Sequence, residues 1–335
     1  MVVIQNGSVE LFLPFCNTQY RNQWGMSGKE HWWANGWLVC EQPPPNGMSD
    51  SGLCALKNMM ESCAPGMRDR IFFLNKRDSP CVRQDGCDPM NPFHLYQKPV
   101  VRPMELLTVY SGYTGDQFLD VACPLAKDWA DITQSTFAAQ NPYVPDPPIK
   151  DVYWEAKEDM AVFRGSLTGS GLHDATNQRR QLCNLRHPNL DAKPTGCNYR
   201  IKFCPIERQM GLPAHCALAG REHYMRMEDQ KLRYKYTVAI DGHSAMDRLG
   251  SLLDGTQCIL KIASPMHALA PETWVSRHMH EWEHFIPVPT VHRLGRRIEW
   301  AIASPSAVQR ICRNAAGLHK RIMTRTYVQA WWKSR

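Results

Sequence analysis

Residues 234–240, YKYTVAI, form an apolar run of strand length that stops at Asp241-Gly242-His243-Ser244-Ala245 and gives way to a helical pattern over 246–253. A strand apolar at nearly every position is buried on both faces, as in parallel sheets covered by helices. The same order recurs upstream. A strand over 160–163 leads into the loop Arg164-Gly165-Ser166-Leu167-Thr168-Gly169, and a helix follows over 177–185. Further strand-length runs fall at 70–74 (RIFFL), 106–110, 258–262 and 285–288. Helical patterns fall at 53–60, near 273–280, at 297–303 and over 306–331. This alternation predicts an α/β fold with a largely parallel sheet.

The chain has 335 residues, enough for two domains with a core each. The segment NPYVPDPPIK at 141–150 carries four prolines, which break helix and sheet alike, and it reads as the linker between them. Trp24, Trp32, Trp33 and Trp37 cluster near the start. Such rings either pack a core or stack on sugars.

Two nucleotide-friendly turns stand out. A strand, a tight glycine turn and a helix start present free backbone N–H groups to an anion. In the 241–248 turn, Gly242 permits close approach, Ser244 can cap or donate, and Arg248 reads as lying in the first turns of the helix. Many turns of this kind bind nothing. The 164–169 loop repeats the design, with Arg179 on the helix after it; Arg164 reads either as a ligand contact or as an internal ion-pair partner. Together the two turns can hold both ends of a nucleotide diphosphate. Asp78, in LNKRDSP just past the 70–74 strand, reads either as a general base or as a turn carboxylate before Pro80.

Several classes lose support. The loop is not a P-loop, because the G-K-[ST] ending is missing, and neither G-x-S-x-G nor G-x-G-x-x-G occurs. His278, His280 and His284 in HMHEWEH lack H-E-x-x-H spacing, so no metal site is expected. The formal charge of +7 is spread out, with only 310–335 clearly basic, which suits phosphate-bearing ligands but not duplex DNA. No basic, apolar leader opens the chain and no run of eighteen apolar residues exists, so a cytoplasmic protein without a membrane span is expected. The 13 cysteines include no C-x-x-C pair and read as reduced thiols.

FRGSLTG with TNQRRQL, KYTVAIDGHSAMDRLGSLL, EWEHFIPV and, upstream, FFLNKRDSP together resemble glycosyltransferase family 90, the family of Rumi-type protein O-glucosyltransferases and capsule-associated xylosyltransferases. The blocks keep the family order across roughly 68–332, and the FLNKRD and TNxR variants are most similar to viral and algal members. The resemblance implies a GT-B fold, two Rossmann-like domains facing across a cleft. Residues 1–145 would form the acceptor-side domain, 146–305 the nucleotide-sugar domain, and 306–335 a C-terminal helix returning to the first. It further implies an inverting, metal-independent transfer of xylose or glucose from a UDP-sugar to a glycan or glycoprotein hydroxyl, with no cofactor beyond that co-substrate.

By motif position, Asp78 resembles the catalytic base, and Arg179 and Arg248 the diphosphate clamps. Arg164, Gly165, Ser166, Thr168, Gly242, His243, Ser244 and Ala245 resemble nucleotide contacts. Ser79, where the family has an aromatic residue, and HAL at 267–269 depart from the pattern and leave acceptor and sugar choice open. Two other classes compete. A nucleotide-sugar-binding protein without turnover would lack the base or an arginine. A basic nucleic-acid-binding protein would lose oligonucleotide affinity steeply with salt.

Overall fold

The structure, a computed structural model, describes residues 1–12, 51–76, 80, 108–116, 118–137, 153–169, 176–197, 220–264 and 272–335. The tryptophan cluster, the 141–150 segment and Asp78 lie outside the described residues. The chain divides into two units, Met1–Pro145 with Met323–Arg335, and Asp146–Ile322.

The first unit starts with a hairpin that the apolar runs did not reveal. Strands β1 (Val2–Gln5) and β2 (Ser8–Phe12) pair antiparallel around Asn6-Gly7, both at positive φ, 51° and 71°. Asn-Gly is the residue pair that a two-residue turn of this hand favours. β1 runs antiparallel to β3 (Arg70–Asn75), and β3 runs parallel to β4 (Val109–Ser111), which is parallel to β6 (Val121–Ala122). The order is β2-β1-β3-β4-β6, with the two-residue β5 (Tyr113–Thr114) outside it.

Helix α1 (Ser51–Cys63) buries Leu56, Met59, Met60 and Cys63 at helical spacing, and α2 (Ala126–Thr133) buries Trp129. The core closes with α8 (Arg325–Lys333), whose Trp332 stacks on Phe72 at 5.6 Å and meets Tyr110 at 4.8 Å.

The second unit holds β7 (Glu158–Leu167), α3 (Gln178–Asn184), β8 (Leu190–Cys197), α4 (Met227–Arg233), β9 (Tyr234–Ala239) and α5 (Leu249–Leu252). It continues with β10 (Cys258–Ile262), the short β11 (Glu272–Thr273), β12 (Ile286–Val288), α6 (Leu294–Ala303) and α7 (Pro305–Ile322). Every neighbouring pair in its five-stranded sheet is parallel, in the order β12-β10-β9-β7-β8. Phe163, Tyr236, Val238, Leu260 and Ile286 on the strands pack with Leu294, Ile298, Val308 and Ile311 on α6 and α7.

Three expectations change. The helix near 273–280 is instead β11 and one 3-10 turn, Ser276–His278, because Thr273 and Ser276 exchange side-chain–backbone hydrogen bonds that close the segment locally. The single helix over 306–331 is two, because Thr324 takes an extended conformation and caps α8 by accepting from the Tyr327 N–H. Residues 306–322 therefore belong to the second unit. Finally, Cys197 is disulfide-bonded, which corrects the expectation of uniformly reduced thiols. Cys63, Cys123, Cys183, Cys258 and Cys312 are free thiols.

Burial pushes the Cys63 and Cys183 thiols up to about 12 and also raises Cys123. The hydrogen bond that the Cys258 thiol donates to Cys312, with burial, raises Cys258. These groups keep their protons in the folded chain at pH values where the unfolded thiols, near about 8.5, have lost them. Their stabilisation is complete below that value and is lost as pH climbs through 9 towards 12. Lys157, lowered to about 8 by burial, acts in the opposite sense. Four thiols against one ammonium leave a net loss, so the urea midpoint is expected to fall steadily from pH 9 to pH 10.5. A flat or rising midpoint there would contradict the burial of these thiols.

Candidate functional site

β7 and β9 are neighbours in register, Ala161 opposite Tyr236 and Val162 opposite Thr237. The chain leaves β7 towards β8 on one side and leaves β9 towards β10 on the other. The two connections diverge, which opens a crevice at the carboxyl ends of β7 and β9. In open parallel sheets this reversal of strand order is where ligands bind.

β7 is longer than expected and carries Arg164, Gly165 and Ser166 within the strand itself, up to Leu167. This relocates Arg164. Its side chain, 5% exposed, turns to the edge strand, pairs with the Asp191 carboxylate and donates to the Phe163 and Asp191 carbonyls at 2.9 and 2.7 Å. Tyr234 Oη donates to the same carboxylate at 3.0 Å. The pairing with Arg164 holds the Asp191 carboxyl below its ordinary range although burial acts to raise it. Of the two readings of Arg164, its side chain takes that of an internal ion-pair partner, and its carbonyl accepts from Arg248.

Arg179 sits in the first turn of α3. Fully buried Asn177 caps that helix, accepting from the Arg180 N–H at 3.0 Å and donating to the Thr168 carbonyl at 3.2 Å. The Arg179 guanidinium spans both strand ends. Nε donates to the Asp241 carbonyl (2.9 Å), Nη1 to the Ser166 carbonyl (2.9 Å) and Nη2 to the Ile240 carbonyl (3.1 Å). It lies 5.7 Å from the Phe163 ring centroid.

Gly242 makes room for it: a Cβ there would stand 2.8 Å from Thr168 Oγ1 and 3.1 Å from Arg179 Nη2, whereas one on Gly165 would crowd the Phe163 ring at 3.0 Å. In Gly242→Ala the obstructing atoms are side chains, so the guanidinium is displaced while the strand ends stay. The expected result is a stability loss of only about 1 kcal/mol together with loss of inorganic pyrophosphate binding, read by calorimetry. Unchanged pyrophosphate affinity would mean that Arg179 plays no part in holding an anion.

The 241–248 turn also differs from its sequence reading. The helix is only α5, four residues long, and Arg248 precedes it at the cap position. Ser244 does not cap it; its carbonyl accepts from the Gly242 N–H at 2.9 Å. Ala245 is buried. So short a helix adds little dipole, and the attraction for anions falls to the arginines. Arg248 donates to the Arg164 carbonyl at 3.1 Å, and the His243 ring accepts from the Gly169 N–H at 3.2 Å, which ties the two loops together.

Burial and, after it, the neighbouring Arg248 charge together lower Arg179 to about 10. Among the described residues neither guanidinium has an ion-pair partner within 4 Å, though Asp241 and Asp247 act on Arg179 from further away. Two close cations are therefore held by neutral carbonyls, an arrangement that an anion with several oxygens would stabilise.

The crevice thus gathers Ser166, Thr168, Arg179, Gly242, His243 and Arg248. The Asp241 carbonyl adjoins it, and the carboxylate behind it is held by Ser264 and the Met246 N–H; an aspartate before a glycine looks like ordinary turn chemistry, which is why the sequence did not single it out. His280 and His284 stand 5.6 Å apart, and the described residues contain no group of three or more His, Cys, Asp or Glu arranged to hold a metal. No helix among the described residues is long and apolar enough to cross a membrane.

The family model described as Glycosyl transferase family 90 matches residues 53–334. Similar curated proteins are viral. Uncharacterized protein 035R of Invertebrate iridescent virus 3 is 29% identical over 295 residues, covering 85% of this chain and 26% of the relative. Uncharacterized protein 179R of Invertebrate iridescent virus 6 is 25% identical over 370 residues, covering 96% and 30%. Uncharacterized protein 027R of Frog virus 3 is 27% identical over 270 residues, covering 75% and 27%. The chain spans less than a third of the length of each of these relatives.

Proposed function

The chain belongs to glycosyl transferase family 90, and from that premise we propose that it moves a sugar, xylose or glucose, from a UDP-sugar to a hydroxyl of a glycan or glycoprotein with inversion at the anomeric carbon. The observation that carries the reading is the pair of arginines, Arg179 and Arg248, set without carboxylate partners among the described residues at the strand-order reversal of a parallel sheet. The GT-B arrangement that the resemblance implies is part of the same proposal.

In this mechanism the donor diphosphate lies against Arg179 and Arg248, with Ser166, Thr168 and the 242–245 turn around the nucleotide. The acceptor oxygen attacks the anomeric carbon from the face opposite the diphosphate. As the new C–O bond forms, the bond to the diphosphate breaks and Asp78 takes the acceptor's proton. UDP leaves with more negative charge than it carried in the donor, and the fixed guanidiniums stabilise that gain. Donor and acceptor thus become glycoside and UDP, with one proton on Asp78.

The direct test is a panel of UDP-sugars, read by slow donor hydrolysis and by protection from thermal unfolding. Protection by UDP-xylose or UDP-glucose is expected, and no protection by any UDP-sugar would overturn the proposal. Because the arginines carry the electrostatic role, turnover is expected to persist in EDTA. Loss of activity in EDTA that manganese or magnesium restores would show that a metal carries it instead.

A further inference from the structure

The carboxylate of Asp241 takes no part in the mechanism above, yet it stands at the centre of the site. Its main-chain carbonyl holds Arg179 Nε, while its side chain turns elsewhere. Oδ1 accepts from the Met246 N–H at 3.3 Å, across the turn that contains Gly242, His243, Ser244 and Ala245. Oδ2 accepts from the hydroxyl of Ser264, two residues past the end of β10. One carboxyl group therefore joins the end of β9, the far side of the turn and the segment beyond β10.

Resting on the reading of this crevice as the UDP site, we propose that Asp241 is its positioning residue: its carboxylate fixes the 241–246 turn so that the Ile240 and Asp241 carbonyls hold the Arg179 guanidinium across the strand ends. Three features support this. The Ile240 and Asp241 carbonyls that hold the guanidinium lead straight into the turn, and the Asp241 side chain ties both ends of that turn to Ser264 beyond β10. Gly242, the next residue, packs so closely that a Cβ there would stand 2.8 Å from Thr168 Oγ1 and 3.1 Å from Arg179 Nη2, so the position of the turn bears directly on the guanidinium. Burial also acts against the ionised carboxyl and raises its pKa, an unfavourable placement offset by Ser264, Lys261, the Met246 N–H and Arg179.

The test compares Asp241→Ala, Asp241→Asn and Ser264→Ala in the 335-residue chain. UDP affinity is measured by calorimetry and Met246 amide exchange by hydrogen–deuterium exchange. Asp241→Ala is expected to weaken UDP binding about tenfold or more, the scale of losing charge-assisted hydrogen bonds in a buried site, and to speed Met246 exchange. Asp241→Asn is expected to stay within about threefold, because its amide oxygen still accepts from Met246 and its amide can donate to Ser264 Oγ.

Parental UDP affinity in Asp241→Ala would overturn the proposal. So would an Asp241→Asn as impaired as Asp241→Ala, since charge and not geometry would then be at work. If Asp241→Ala does not fold, Ser264→Ala decides: faster Met246 exchange with UDP affinity weakened about threefold supports positioning, and parental values overturn it. Should the parent protein bind no UDP at all, the functional reading fails by itself. The exchange measurement on Ser264→Ala then still decides whether the carboxylate holds the turn.

Discussion

Arg248→Ala is expected to lower turnover by about 10²–10³-fold while leaving the melting temperature close to that of the parent. The Arg248 side chain is half-buried and spends one hydrogen bond on a main-chain carbonyl, so little of the fold depends on it. In the proposed mechanism its charge faces the departing diphosphate, and removing a preorganised donor at a site of developing charge has an effect of this size. Since that charge grows in the transition state, kcat should fall further than UDP affinity. Arg248→Lys should rescue only in part, because an ammonium lacks the planar fork.

Arg164→Ala is expected to do the reverse. It would strand the Asp191 carboxylate without its guanidinium and cost about 3 kcal/mol of stability, with UDP affinity changing through loss of folded protein alone. Arg179→Ala should show both effects, because that guanidinium cross-links the ends of β7 and β9 as well as facing the site. Calorimetry with UDP alongside thermal melting separates the three. An Arg248→Ala protein that binds UDP and turns over like the parent would remove the arginine pair from the mechanism.

Asp78→Asn is expected to keep donor binding and lose transfer by about 10²–10⁴-fold, since the amide preserves shape but accepts no proton. Asp78 is outside the described residues, and its place in the proposal comes from the sequence: it follows β3, past Asn75 and Lys76 at the carboxyl end of a strand parallel to β4. Near-normal transfer by this variant, with UDP affinity intact, would mean that another group takes the acceptor's proton.

The parallel sheet of the second unit was readable because buried strands announce themselves as apolar runs; YKYTVAI and CILKI needed no context. β8 was not, because LDAKPTGC contains a proline and a glycine and looks like a loop. It can be a strand because it lies at the sheet edge, where a residue without an N–H is tolerated. The hairpin at Asn6-Gly7 carried a legible signal, but its strands are too short and too polar on one side to stand out as runs.

At the site, residue type and spacing brought Arg179, Arg248 and Gly242 to one place. They could not distinguish them from Arg164, which sits in the same kind of segment. Along a strand successive side chains point to opposite sides, and which side faced Asp191 depended on β8, the strand the sequence hid.

The break at Thr324 has a consequence for the order in which the molecule is made. The first unit begins with the first residue, yet Trp332 fills its centre against Phe72 and Tyr110, and Gln329 donates to the Ser62 carbonyl at 2.8 Å. During synthesis these partners wait until well over two hundred further residues have left the ribosome, 267 in the case of Ser62 and Gln329. Residues 146–322 are contiguous and can complete their sheet first. The usual sequence of amino-terminal unit before carboxyl-terminal unit is therefore inverted. A released chain ending at residue 322 should expose the Phe72 and Tyr110 surface to chaperones while its second unit is already native.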